Sequence, residues 1–194
     1  MNRDELLKLY IDGKRDFSNA YLRGADLRGA NLSNANLRCA DLRGANLSDA
    51  DLSNANLRCA DLSDANLSDA DLSDANLRGA DLRYADLRYA DLQCADLRGA
   101  NLNRAKYRDI VINHVRVFSD LYKYQVWAII AEDDSEWVRM GCHFRKREEW
   151  ENDFWNNDEE FKNDNSESSN MRLAAFNFAC KWIDERKHTM EKTK

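Results

Sequence analysis

Residues 30–62 read ANLSNANLRCADLRGANLSDADLSNANLRCADL, and this stretch decides the fold. Leucine recurs at every fifth position from Leu22 to Leu102, and alanine stands two residues before each of these leucines. The residue between them is Asp or Asn at every repeat except Tyr21. On an α-helix, five residues advance about 500°, which would scatter the leucines around all sides. In an extended chain, residues two apart share a side, so Ala and Leu point inward and the polar residue points outward.

A second, longer period suggests how the repeats are arranged. The eleven residues from Leu32 to Leu42 are identical to those from Leu52 to Leu62. This 20-residue repeat predicts four five-residue units in each coil, although a recent duplication would give the same pattern. Because leucines 20 residues apart would then stack, we expect an interior column of Leu22, Leu42, Leu62, Leu82 and Leu102.

The Ala-(Asp/Asn)-Leu-x-x run resembles the pentapeptide-repeat proteins, and the resemblance covers about residues 15–117. It implies an all-β solenoid, a right-handed quadrilateral parallel β-helix of about five coils, over residues 15–118. Residues 1–14 are predicted to be a capping helix, with Leu6, Leu7, Tyr10 and Ile11 as its apolar stripe and Gly13 at its C-terminal end.

From residue 119 to 194 the period is lost, and all five tryptophans occur there. We predict a small α+β module. It contains strands at 124–131 and 136–142, a charged helix around Trp150, Phe154 and Trp155, a flexible loop at 163–170 and a helix at 170–187. In the last helix Leu173, Phe176, Cys180 and Ile183 form one apolar side, and Ala174, Phe178 and Trp182 form a second. The module resembles tails of phage and bacterial family members.

Charged residues are predicted to form columns on the outside of the coil. Arginines stand 20 residues apart, and acids crowd the middle of the repeat run as an acidic belt. We take these residues, two tyrosines at turn positions and two tryptophans of the module as candidate partner-binding residues. They are Arg38, Arg58, Arg78, Arg98, Asp49, Asp51, Asp61, Asp64, Asp69, Asp71, Asp74, Tyr84, Tyr89, Trp150 and Trp155.

The resemblance implies a non-catalytic protein that binds another macromolecule. Some pentapeptide-repeat proteins imitate duplex DNA and occupy the DNA groove of type II topoisomerases, and the acidic belt favours that function or a phage counter-defence role. The structural alternative is that Asp and Asn stabilise the turns and the strand exterior, and that Arg and Asp balance each other's charge for solubility. A further alternative makes the repeats a scaffold whose Trp-rich module binds a protein or small ligand. Other family members dimerise through a C-terminal helix, so the resemblance also implies a homodimer through the C-terminal module. Tyr84 and Tyr89 are equally consistent with packing under the module.

Catalytic, metal and cofactor sites are not expected. Cys142 and His143 are adjacent, which on a strand places them on opposite faces, and no ligand spacing supports zinc binding by Cys142, His143, Cys180 and His188. Cys39 and Cys59 would stack, but we expect them to be small turn residues rather than a disulfide.

The composition fits this reading. The chain has no proline, a net charge of −6, no signal-like start and no long apolar run. We therefore expect a cytoplasmic protein that binds neither membranes nor nucleic acid, since no face is strongly basic.

Overall fold

The computed structural model describes residues 2–118, 125–140, 143–153 and 167–192. The chain divides into two compact units, Met1–Asn113 and His114–Lys194. We call the first the repeat unit and the second the C-terminal module, and we describe each by itself.

The repeat unit is a solenoid in which each five-residue repeat contributes one parallel bridge. Every bridge joins residues 20 apart, from Asp16↔Asn36 to Asp86↔Lys106. The chain therefore returns to the same position after four repeats, as the sequence predicts. Each coil has four sides, and we name the four by the repeats that begin at residues 16, 21, 26 and 31. The handedness and the number of coils stay predictions from the family resemblance.

Leucine and alanine fill the interior of the coil. The leucines from Leu22 to Leu102 are at most 2% exposed, and the central alanines from Ala30 to Ala85 are equally enclosed at no more than 4%. Burial of this kind removes apolar surface from water on all four sides at once and is the main stabilising term of the unit. The buried set includes all five leucines of the expected interior column, from Leu22 to Leu102.

Each repeat turns at its last two residues. The alanine that follows donates its N–H to the carbonyl of the leucine three residues earlier, as in Ala50 to Leu47 at 3.1 Å. The residue before the alanine has a positive φ throughout, for example 59° at Asp49 and 62° at Gly44. Since Gly, Asn and Asp tolerate this conformation best, the turn explains why they dominate this position.

A helix, α1 (Arg3–Ile11), precedes the first coil. Leu6 is fully buried, and the hydroxyl of Tyr10 donates to the carbonyl of Ser33 at 2.8 Å, so the helix is fastened to the first coil. Gly13, with φ 92°, follows the helix end as expected. Ile11 was expected to join the apolar stripe, but it is 81% exposed because it is the last residue of the helix.

The five-residue coil ends before residue 118. β1 (Lys106–Tyr107) and β2 (Ile110–Phe118) form a tight antiparallel hairpin, in which Tyr107 pairs with Ile110. Ile112, which continues the leucine phase in sequence, is buried, yet it lies on an antiparallel strand and not on a parallel coil. The change of direction follows from the loss of the Ala-(Asp/Asn)-Leu motif after Leu102.

The C-terminal module contains an antiparallel meander and two helices. β3 (Val126–Ala131) pairs with β4 (Glu136–Met140), which pairs with β5 (His143–Lys146). α2 (Arg147–Asp153) follows directly, and α3 (Glu167–Glu191) ends the described chain. β3 is buried along its whole length, and α3 packs on it through Ala175, Phe176, Ala179, Cys180 and Ile183.

One prediction for the module is wrong. Residues 167–170 were assigned to a flexible loop, but α3 already begins at Glu167. On the predicted second apolar side of this helix, Ala174 and Phe178 are exposed, and Trp182 is partly buried against the core of the module. Phe154, Trp155 and residues 163–166 lie outside the described residues, as does Cys142. In the part of the chain that is described, no helix combines the length and the apolar character needed to cross a membrane.

Candidate interaction surfaces

The Asp or Asn of each repeat caps its own turn. From Asp16 to Asn101, the side-chain oxygen at this position accepts the N–H of the residue two further on, at 2.8–3.3 Å. Tyr21 is the one repeat in this range without such an acceptor. An amide oxygen and a carboxylate oxygen do this equally well, so the local structure explains the residue type but not the choice of Asp over Asn.

The predicted acidic belt is divided between opposite sides of the coil. Asp51 and Asp71 are bridged to each other on the 31-side, whereas Asp61 and Asp64 lie two repeats away, on the 21-side. Asp61 is partly neutralised there, because Arg43 Nε is 3.6 Å from its carboxylate.

The remaining acids of the belt form a compact group that we call the acidic patch. It lies in the stacked segments 46–55 and 66–75, which contain no Lys or Arg. Asn46 and Asn66 are bridged, as are Asp51 and Asp71, and the N–H of Asp49 bonds to the carbonyl of Ser68 at 3.0 Å. The patch consists of Asp49, Asp51, Asp69, Asp71 and Asp74.

The arginines behave in two different ways. Arg98 forms a two-point salt bridge, here called a fork, with Asp96, and its Nη2 lies 2.6 Å from the carboxylate. By contrast, Arg38, Arg58 and Arg78 are exposed and form no salt bridge with a described residue. The four arginines were expected to form one column, and they are spaced 20 residues apart as that column requires. Of the four, only Arg98 forms a salt bridge within the described residues.

Fork formation is the feature that sequence reasoning missed. The five Asp-x-Arg sites within the repeats place the carboxylate and the guanidinium two residues apart on the same outward side, and in every fork an Arg Nη2 lies 2.5–2.7 Å from the Asp. The hydrogen bond from Arg43 lowers the pKa of Asp41 to about 2, and that from Arg28 does the same for Asp26. The Asp-x-Arg spacing was visible in the sequence and could have revealed the forks.

Tyr84 and Tyr89 occupy the turn position with φ 60° and 61° and are 57% and 73% exposed. A bulky side chain in this left-handed conformation is a genuine outlier that costs on the order of 1 kcal/mol. Their exposure keeps them available for contacts. Tyr21, which was not among the candidates, is exposed to 80% on the 21-side.

Trp150 was expected to contact a partner, and this prediction is wrong. The side chain is fully buried in the core of the C-terminal module, and its indole N–H donates to the carbonyl of Val138 at 2.8 Å. It is therefore a structural residue. Trp155 lies outside the described residues. The exposed apolar residues of α3 are instead Met171 and Phe178.

Polar contacts in the module are also structural. Arg147 reaches Glu136, Glu151 and Asp184, and Lys187 binds Glu136 at 2.7 Å, so these groups link β4, α2 and α3. Burial raises the pKa of the Cys180 thiol to about 11, which removes it as a nucleophile near neutral pH. Within the described ranges, no three His, Cys, Asp or Glu side chains come together to hold a metal.

Comparison with known proteins identifies the repeat. The family model "Pentapeptide repeats" matches residues 16–54, 45–83 and 65–104, with eight copies. The chain belongs to the pentapeptide-repeat family. A comparison with curated proteins found no match.

Solved structures similar to the chain include three cyanobacterial pentapeptide-repeat proteins. HetL from Nostoc sp. strain PCC 7120, described as involved in the regulation of heterocyst differentiation, is 41% identical over 48% of this chain and 49% of its own, with a TM-score of 0.42. Rfr23 from Cyanothece 51142 is 38% identical over 48% and 63%, with a TM-score of 0.45. The protein alr5209 from Nostoc is 42% identical over 55% and 79%, with a TM-score of 0.25. The chain thus spans about half to two thirds of the length of the first two.

Proposed function

We propose that this protein is a non-catalytic binding protein whose acidic patch occupies the DNA-binding surface of a DNA-handling enzyme, such as a type II topoisomerase. The observation that carries the proposal is the use of Asp where Asn would serve the fold. Asn caps the turn at residues such as Asn46 and Asn66, and it takes the positive φ at Asn34 and Asn54. The charge of the patch is therefore not required by the backbone.

The local charge density supports the comparison with DNA. Coils are spaced about 4.8 Å apart, and duplex DNA carries one charge per ~1.7 Å, or about three charges in one coil spacing. Segment 46–55 contributes Asp49 and Asp51, and segment 66–75 contributes Asp69, Asp71 and Asp74. The patch approaches the density of a duplex over these two coils, although the repeat run as a whole does not. The proposal assumes a right-handed repeat unit of about five coils. It also assumes that the protein is cytoplasmic, since such enzymes act in the cytoplasm.

Asp-to-Asn changes test the proposal without disturbing the turns. We expect the purified full chain to inhibit DNA supercoiling by a type II topoisomerase, and the variant D51N/D71N/D74N to inhibit at least about tenfold more weakly, because three charge pairs with the enzyme are lost. The matched control D16N/D61N/D64N removes the same charge from the 16-side and the 21-side and should inhibit as well as the parent. Equal inhibition by both variants would remove the basis for DNA mimicry.

A second candidate places the binding surface on the C-terminal module. On α3, Met171, Ala174 and Phe178 are exposed at helical spacing, and Phe178 packs edge-on against Phe118 at 5.2 Å between ring centroids. Such an apolar row is suited to a protein partner or to a second copy of the chain. The variant M171Q/F178Q should then abolish binding or dimerisation, as measured by sedimentation, while leaving topoisomerase inhibition unchanged.

A further inference from the structure

Within the repeats, the residue two positions before an arginine decides whether that arginine forms a fork. At every repeat where this residue is Asp, a fork forms, as between Asp41 and Arg43 at 2.5 Å. Where Asn precedes, at Asn36, Asn56 and Asn76, the arginine forms no salt bridge with any residue that the structure describes. The pattern therefore separates arginines that pair with their own Asp from arginines that form no salt bridge within the described residues.

The three arginines of this second kind follow one another on a single side of the coil. Asn36 is bridged to Asn56, and Asn56 to Asn76, so the arginines two residues later are stacked in consecutive coils, about 4.8 Å apart. We call Arg38, Arg58 and Arg78 the arginine ladder. Three like charges in a row repel one another, and nothing in the turn requires arginine, because Ser serves the same position at residues 48 and 68.

The asparagines beneath the ladder form hydrogen bonds within the repeats. Asn56 Nδ2 donates to Asn36 Oδ1 at 3.2 Å, and Asn56 Oδ1 accepts the N–H of Arg58 at 3.2 Å. The asparagine column is thus neutral. The three arginines of the ladder are exposed, and their guanidinium groups form no salt bridge within the described residues.

We propose that the arginine ladder is a binding strip for an extended, acidic segment of a protein partner, with partner carboxylates taking the place that Asp41 takes for Arg43. Guanidinium forks bind carboxylates in two-point contacts, as the internal forks already show in this protein. Same-side residues of an extended peptide are about 6.8 Å apart, and the long arginine side chains can span the difference from the ladder spacing. This surface is on a different side from the acidic patch and is independent of the proposed function.

Charge on the neighbouring side favours a narrow peptide over a nucleic acid. The adjoining 31-side carries Asp51, Asp71 and Asp91 and contains no Lys or Arg between residues 31 and 35, 51 and 55, 71 and 75, or 91 and 95. A polyanion broader than one repeat would meet these carboxylates. At the end of the ladder, Asp96 also interacts electrostatically with Arg78, which limits the strip to a short segment.

The test uses fluorescence anisotropy of a fluorescein-labelled decaglutamate peptide with the full chain. The variant N36D/N56D/N76D should weaken binding at least about tenfold, because each new Asp captures its own arginine in a fork. Asp already occupies three consecutive coils on the 31-side, at Asp51, Asp71 and Asp91, so the fold should tolerate the change, which circular dichroism checks.

A matched control changes the net charge equally without touching the ladder. The variant R43Q/R83Q/R88Q also makes the chain three charges more negative, but it removes arginines that are already paired. We expect its affinity for decaglutamate to fall less than about twofold. Equal losses in the two variants, or no binding by the parent chain at low salt, would overturn the proposal. Tighter binding of a ten-residue oligothymidylate that N36D/N56D/N76D abolishes would also overturn it, in favour of a nucleic-acid partner.

Discussion

At the scale of single residues, the outward positions of the repeat carry both structural and functional information. The first outward position caps the turn and holds Asp or Asn at every repeat but one, and the last takes a positive φ and most often holds Gly, Asn or Asp. Departures from these choices are the informative ones: Asp where Asn would do, in the acidic patch, and tyrosine in a left-handed turn at Tyr84 and Tyr89. Such residues point to selection for something other than the fold.

Tyr89 should reduce stability in the isolated protein. Replacing Tyr89 by Asn removes a bulky side chain from φ 61° and should raise the free energy of unfolding by about 0.5–1 kcal/mol. Urea denaturation of the purified variant measures this, and Tyr84→Asn should behave in the same way. A loss of stability instead would mean that the ring packs against the protein and is not held there for a partner.

At the scale of elements, the repeat unit is stabilised by interior leucines and the module by a mixed core. Leu62 lies in the middle of the leucine column and is fully buried, while the module closes around Trp150 and the row of small residues on α3. The two cores differ in how much the sequence reveals about them. One repeats a single local motif, and the other brings together residues as far apart in sequence as Phe118 and Ile183.

Leu62→Ala should cost about 2–5 kcal/mol, because it leaves a cavity that neighbouring coils cannot collapse into. Chemical denaturation followed by circular dichroism measures the loss. Ser68→Ala, at a partly buried outward position of the next repeat, provides the comparison and should change stability by less than about 1 kcal/mol. Similar losses for the two changes would show that the leucine column is not the stabilising core.

Cysteine reactivity should separate the module core from the turns. Cys59 and Cys94 are exposed, whereas Cys180 is buried with its pKa raised to about 11. Brief treatment with a maleimide at pH about 7 should label Cys59 and Cys94 and leave Cys180 unmodified, since the thiolate is the reacting form. Peptide mass spectrometry reads the labelling at each site, and labelling after denaturation in urea supplies the control. Early modification of Cys180 would contradict its placement in the core.

At the scale of the whole molecule, charge is arranged by side and not spread evenly. The acidic patch and the arginine ladder lie on different sides of the same coils, and five Asp–Arg forks neutralise much of the remaining charge. A net charge of −6 therefore describes this surface poorly. Binding through either surface should weaken as salt is added, because both depend on exposed charges.

The forks also set a pH dependence of stability. Arg43 and Arg28 lower the pKa of Asp41 and Asp26 to about 2, below the ~3.9 of an unfolded Asp. A lowered folded-state pKa stabilises the protein above pH ~4, and this contribution is lost as the pH falls through about 2. The midpoint of thermal unfolding should therefore drop between pH 4 and 2 by less in D26N/D41N than in the parent chain. An identical drop in both would show that the forks do not contribute.

The sequence by itself determined the repeat, its 20-residue register, the buried Leu and Ala and the turn residues. These follow from contacts within one repeat and between identical neighbours, so a local pattern contains them. Only the tertiary structure decided that Trp150 is buried, that α3 starts at Glu167 and that β2 reverses direction. Those features depend on packing between residues far apart in sequence, where no period constrains the outcome.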